Sequence, residues 1–219
     1  MSKRYSIPSV VLCMLLATFS QATETGPLDL GKYDSFEGFV DIWWDEAAGR
    51  MLVRVDELDT PFLYQSSLPR GIGSNDIGLD RGQLGDTKVV RFLRSGPKIL
   101  LVEDNLRYRA SSDNADERRA IGESFARSVI WGFTDIDDDS NSTIIDATAF
   151  FVRDSHGVAS RLAAMGEGSF HVDDSRSAIY LQRTKAFPDN TEVEAVLTFV
   201  GEATGEHLPT VVPDWTSLT

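Results

Sequence analysis

The strongest constraint in the sequence is the stretch Pro61 to Gly85, PFLYQSSLPRGIGSNDIGLDRGQLG. Its opening, Pro61-Phe62-Leu63-Tyr64-Gln65, is apolar and aromatic enough for a buried strand. Gly71, Gly73, Gly78, Gly82 and Gly85 then crowd a segment that also holds Asn75, Asp76, Asp80 and Arg81. Glycine serves where φ must be positive or where another backbone comes close. So long a glycine loop is costly in chain entropy, which implies a fixed shape. The polar residues Asn75, Asp76, Asp80 and Arg81 are its candidate contacts. The simpler reading is that they hydrogen-bond the loop's own backbone, as Asx side chains do in turns.

The N-terminus reads as a signal peptide, residues 1–22. Lys3 and Arg4 precede an apolar run from Ile7 to Phe19, and Ser20-Gln21-Ala22 suits cleavage after Ala22. The run is short for a bilayer span, so an uncleaved anchor is the lesser reading. Cleavage would remove Cys13, the single cysteine, and leave 197 residues (219 minus 22). That length can bury one sizeable core without disulfides. The net charge of −13 would become −15 on loss of Lys3 and Arg4. Such acidity argues against nucleic acid, which needs clustered cations, and against an anionic membrane surface after cleavage. The signal peptide implies a secreted chain.

Thr23 to Ser35 reads as a linker. Phe36 to Trp44 and Met51 to Val55 read as a hairpin, with Trp43 and Trp44 on opposite faces and core for both as the simpler reading. Thr87 to Leu93 and Lys98 to Glu103 read as strands around the Ser95-Gly96-Pro97 turn. Ser111 to Gly132 reads as the principal helix. Asp113 is its N-cap, and Ile121, Phe125 and Val129 form a core-facing i, i+4, i+8 stripe. Thr143 to Val152 reads as a strand, Val158 to Met165 as a short helix, and Gly166 to Ser177 as a polar connection. Ile179 to Thr184 and Glu192 to Val200 read as two further strands. The fold expected is α+β, mainly antiparallel β-sheet with one principal packed helix.

Catalytic motifs are incomplete. Gly73 to Gly78 has the gap of a P-loop, but Leu79-Asp80 stands where Lys-Ser/Thr is required. His156, His171 and His207 lie outside any HExxH, and Leu208-Pro209 after His207 excludes a zinc helix there. Asp154-Ser155-His156 are sequence neighbours, whereas triads assemble in space. Asp135, Asp137, Asp139 and Asp146 fall at calcium-loop positions 1, 3, 5 and 12. Ser140 replaces the required glycine and Asp146 the bidentate glutamate, which favours a solvated hairpin tip. No catalytic, cofactor-binding or metal residue is therefore expected in this chain.

PFLYQSSLPRGIGSNDIGLDRGQLGDTKVVRF, with GPKILLVEDNLRYRA, SFARSVIWGF, DATAFFVRDSHGV and the GFVDIWWDEAAGRMLVRVD hairpin, resembles the N-terminal region of large secreted bacterial zinc-dependent metallopeptidases. The resemblance covers about Phe36 to Gly201. In that family the zinc site lies downstream, on an HExxH helix of a metzincin-like domain. The resemblance implies an accessory domain at residues 36–201, with 202–219 starting a connection to a downstream domain. The chain would be a truncated product, a fragment or a freestanding relative. Zinc would belong to the downstream domain, and the partner would be that peptidase domain, in cis or in trans. The function implied is a non-catalytic module that shields, folds or positions the peptidase. The alternative is a freestanding periplasmic binding module for peptide, glycan or cation.

Overall fold

The computed structural model describes residues 28–108, 111–138, 142–214 and 217–218. The expected signal peptide, residues 23–27 of the expected linker and positions 139–141 of the acidic loop lie outside these. The rest of the expected linker is not a loose connection. It holds a 3-10 turn at Leu30–Lys32, packs Leu28, Leu30 and Tyr33 on buried residues and enters a strand at Asp34.

An eight-stranded antiparallel sheet forms the larger part. Its strands are β1 (Asp34–Phe36), β2 (Ile42–Asp45), β3 (Arg50–Val55), β4 (Phe62–Tyr64), β5 (Lys88–Ser95), β6 (Lys98–Glu103), β7 (Ser128–Asp138) and β8 (Thr143–Asp146). Their spatial order is β1-β2-β3-β8-β7-β6-β5-β4. The expected mainly antiparallel α+β class is therefore observed. Alternation sorts the side chains of β3: Met51, Val53 and Val55 enter the main core with Ile42, Val90, Ile99, Phe133 and Ile145. Leu52 turns to the opposite face and packs with Trp43 and Ile144 under Leu28, Leu30 and Tyr33. Trp44 packs against the main core. Both tryptophans are thus core residues, on opposite faces.

The β2–β3 turn is closed by Asp45. Its carboxylate accepts hydrogen bonds from the Ala48 N–H (3.0 Å) and the Arg50 guanidinium (2.8 Å). The Arg50 bond is the largest of the interactions that hold the Asp45 carboxyl below its usual range.

The second part of the chain packs Phe150, Phe151 and Ile179 against the main core and builds a smaller core of its own. It comprises α2 (Thr148–Phe151), α3 (Val158–Ala164), β9 (Gly168–Val172), β10 (Ala178–Ile179), β11 (Lys185–Phe187), β12 (Asn190–Glu192), β13 (Ala195–Val196), β14 (Phe199–Ala203), α4 (Leu208–Val211) and β15 (Ser217–Leu218). β14 lies between β9 and β15. Leu162 of α3, Phe170 of β9, Phe199 of β14, Leu208 of α4 and Leu218 of β15 form this core.

Several expectations are corrected. The long helix is only α1 (Ala115–Ser124), capped by the Asn114 side chain rather than Asp113, and it buries no residue. Phe125 is already extended, and Val129 lies on β7 with 58 % of its surface exposed. The β-branched and aromatic run Val129-Ile130-Trp131 takes strand geometry against β6, which outweighs the helical spacing. A register shift leaves Ile130 without a Cα partner, as in a β-bulge. Thr143 to Val152 is a strand only as far as Asp146, whose carboxylate then receives the Thr148 N–H and hydroxyl to open α2. The expected polar connection contains β9. The two expected late strands are short pieces around a 3-10 turn at Leu181–Arg183. Phe62 to Tyr64 is an edge strand with Leu63 70 % exposed, not a buried one.

Two outcomes follow for stability. Val129→Lys should shift the urea unfolding free energy by less than about 0.5 kcal/mol, as surface positions do. Ile145→Ala should cost about 2–5 kcal/mol through the cavity it leaves. A large loss at Val129 would instead favour the long packed helix. Asp173 should also titrate abnormally, because the Ser175 hydroxyl and then the Arg176 guanidinium bring its pKa down to about 2. A depressed carboxyl stabilises the fold above its unfolded pKa of about 3.9, and that contribution disappears as pH falls through the folded value. The stability difference between the native chain and Asp173→Asn should therefore be constant above about pH 5 and shrink progressively as pH falls toward and through ~2.

Candidate functional site

The glycine loop is folded as a narrow double strand of backbone. Gly85 N–H donates to Ser66 C=O (2.8 Å), Leu68 to Gln83 (2.9 Å), Gly82 to Leu68 (2.7 Å) and Ile72 to Leu79 (3.0 Å). Two apolar side chains fix its position. Ile77 is fully buried and Leu79 is 4 % exposed, both within the smaller core beside Leu162 and Phe170. Gly71 is required by close approach: a Cβ there would sit 2.6 Å from the Arg81 nitrogen and 2.8 Å from the Leu79 carbonyl oxygen. Gly78 combines φ +70° with contact against the Arg161 guanidinium, whose Nε donates to the Ile77 carbonyl at 2.6 Å.

The expected contacts Asn75, Asp76, Asp80 and Arg81 are all exposed on this loop. Their side chains do not hold the loop together, contrary to the simpler reading. Asp76 reaches across to His207 at 3.8 Å, an exposed pair of the kind that contributes little. The backbone ladder, the two apolar anchors and Arg161 account for the shape.

A second constellation lies where the loop leaves β4. Ser66 Oγ is 3.3 Å from His156 Nδ1. Gly85 admits this contact, since a Cβ there would stand 2.3 Å from Ser66 Oγ. Nearby, Arg153 is half-buried with its guanidinium 4.7 Å from the Phe150 ring centroid and 5.6 Å from that of Trp131. Its Nε donates to the Phe150 carbonyl (3.1 Å) and its Nη2 to the Tyr64 hydroxyl (3.4 Å). Asp154 does not orient His156. Its carboxylate instead accepts the N–H groups of Gly157 (2.8 Å), Val158 (2.8 Å) and Ala159 (2.9 Å). Asp154, Ser155 and His156 therefore form no triad. The sequence shows Asp154-Ser155-His156 only as neighbours, and the segment's partners Tyr64 and Ser66 come from about ninety residues earlier and carry no sequence signal.

The other candidates are chemically self-satisfied. No cluster of three or more metal-ligating side chains occurs among the described residues. Buried Glu167 receives the Leu208 N–H (2.9 Å) and the His207 N–H (3.4 Å), which seals α4 onto the smaller core. A cleft of about 190 Å³ between α1 and the sheet is lined by Arg91, Asp104, Tyr108, Phe125 and Arg127. Arg91 there is paired with Asp104 and Asp59, which together raise its pKa further.

The loop's anchoring predicts a sharp contrast between neighbours. Ile77→Ala should cost about 2–5 kcal/mol in denaturant unfolding, as core truncations do. Asp76→Ala should stay within about 0.5 kcal/mol, as at ordinary surface positions. Comparable losses at both sites would contradict the anchoring by Ile77.

Residues 82–216 match the family described as Domain of unknown function (DUF5117). No curated protein and no solved structure matches the chain. The matched stretch begins inside the glycine loop, just after Arg81, and contains Arg153 and His156. It spans more than half of the sequence, and the chain belongs to the DUF5117 family.

Proposed function

We propose that this chain is a non-catalytic accessory module of a secreted, zinc-dependent metallopeptidase-like protein, which shields, folds or positions the peptidase domain. The observation that carries the reading is the combination of a rigid backbone and an outward chemical surface in the glycine loop. Ile77 and Leu79 are locked in the core while Asn75, Asp76, Asp80, Arg81 and Leu84 remain exposed. A pre-ordered surface loses little entropy on docking. The resemblance of the sequence to the region that precedes such peptidase domains supports the choice of partner. Zinc would be held by the peptidase domain, and this module would act by contact alone. It would work outside the cytoplasm, delivered by the signal peptide.

A second reading is a freestanding periplasmic binding module for peptide, glycan or cation, with Asn75, Asp76, Asp80 and Arg81 as contacts. It is favoured by the absence of any loop-stabilising role for those four side chains. It requires a ligand-induced rise in melting temperature that the double substitution Asp76→Ala, Asp80→Ala abolishes.

The leading reading is tested by mixing the purified chain with a catalytic domain from a full-length protein of the resembled family. A complex should co-elute in size exclusion, and charge reversal by Asp76→Lys with Arg81→Glu should weaken it about tenfold or more. The chain alone should leave peptide substrates uncut. Failure to associate at concentrations of tens of micromolar (roughly the weak end of specific association), or peptide cleavage by the chain alone, would overturn it.

A further inference from the structure

The sheet has an open edge at β4, and its backbone groups can be assigned from the register. Val89 faces β6, because its carbonyl accepts the Asp104 N–H at 3.0 Å. Val89 is also the Cα partner of Leu63. In an antiparallel ladder a residue bonds to one side only, so Leu63 presents its N–H and C=O away from β5. The same alternation continues beyond β4. Ser66 accepts the Gly85 N–H and Leu68 donates to Gln83, both on the inner side. Gln65 and Ser67 therefore also direct their main-chain groups outward. The Gln65 side chain bonds back to Thr87 Oγ1 (2.6 Å) and Gly85 C=O (3.2 Å), which keeps the segment extended. Residues 63, 65 and 67 are all exposed. The edge thus offers outward main-chain groups at Leu63, Gln65 and Ser67, across a one-residue register slip between the Tyr64–Lys88 pair and the Ser67–Leu84 bridge.

Along the other face of the same segment lie Tyr64 and Ser66. These are the two residues that meet Arg153 and His156. Among the described residues, the half-buried arginines Arg50, Arg54 and Arg91 pair with carboxylates, while Arg153, also half-buried, makes no ion pair; the exposed Arg70, Arg81, Arg107, Arg118 and Arg161 make none either. Its one adjacent acid, Asp154, is engaged with three main-chain N–H groups. Ring faces and a phenol hydroxyl hold the guanidinium in place without neutralising it. A half-buried, fixed guanidinium is matched to a carboxylate, which it can bind in a bidentate fork.

We propose that this edge binds an extended peptide strand bearing a carboxylate. Main-chain hydrogen bonds to Leu63, Gln65 and Ser67 align the strand, and Arg153 pairs with the carboxylate. Strand addition supplies affinity through the backbone, while a placed cation supplies selectivity. Leu63, exposed on the opposite face, offers an apolar contact for the alternate side chains. The site is independent of the glycine-loop surface and holds whether or not a peptidase domain is attached.

The test is to pan a random hexapeptide phage library against the immobilised chain. Strand-forming sequences with Asp or Glu enriched at one position should emerge, and the acidic preference should disappear with Arg153→Gln. A synthetic peptide of the selected sequence is then measured by fluorescence anisotropy. Replacing its acidic residue by the amide should weaken binding about tenfold or more, as loss of a charge-assisted pair does. N-methylation of alternate amides should weaken it comparably, and glutarate alone should compete far less well than the peptide. Circular dichroism reports whether Arg153→Gln is folded. If it is not, the peptide substitutions against the unaltered chain decide. No enriched binder, no acidic preference, or a preference that folded Arg153→Gln retains overturns the proposal. Insensitivity to N-methylation, or glutarate binding as tightly as the peptide, overturns the strand-pairing mode.

Discussion

The burial of Ile77 and Leu79 is the interaction on which the rest of the arrangement depends. The chain leaves the large sheet at β4, enters the smaller core with these two side chains, and returns to the sheet at β5. Each fully buried aliphatic side chain of this size is worth about 1.5–3 kcal/mol. That is enough to offset the slow growth of closure cost with loop length, about 0.6 kcal/mol per doubling. The glycines then serve the anchors. Gly71 lets the two backbones touch, and Gly78 makes room for Arg161. A loop secured by its apolar residues can leave its polar ones on the surface, which explains why Asn75, Asp76, Asp80 and Arg81 have no part in holding it.

What was legible in the sequence follows the range of the interactions involved. The 42–55 and 88–103 hairpins were readable because alternation and turn residues are local, although the first strand of the former begins at Ile42 and not at the expected Phe36. The short helix at Val158 was readable for the same reason. The long helix was not. Ile121, Phe125 and Val129 satisfy helical spacing by coincidence, since the segment after Phe125 is recruited by pairing with β6, a contact more than twenty residues away. The site was legible in halves. Glycine density located the loop, and Asp154-Ser155-His156 stood out only as sequence neighbours. Nothing in either stretch announces that Tyr64 meets Arg153 or that Ser66 meets His156. Adjacency was misleading in the same place, because Asp154 spends its carboxylate on the start of α3 and leaves His156 to a serine from the other half.

Electrostatics separates structure from surface in this chain. With thirty-four acids against twenty-one bases, a cation has many potential partners. Asp45 closes a turn with Arg50, and Asp41 and Asp56 hold Arg54. Arg91 ties the segment before β4 to the end of β6 through Asp59 and Asp104. These arginines bind chain segments to one another. Arg153 is held by aromatic faces and a hydroxyl, none of which cancels its charge. Desolvating a cation without an anion is costly, and Arg153 is only half-buried, which keeps part of its side chain in water.

The edge strand beside it can be understood on the same terms. An unpaired edge invites association with other chains, and proteins restrain edges by keeping them short and by placing proline beside them. β4 is three residues long and follows Pro61 directly. Beyond it, the extended run continues only to the Ser67–Leu84 bridge before the glycine loop turns away. Such an edge is too short to template a growing sheet, yet long enough for one short strand to pair. The loop that anchors in the smaller core therefore has a second consequence: it sets the length of the open edge, and so limits what can dock there.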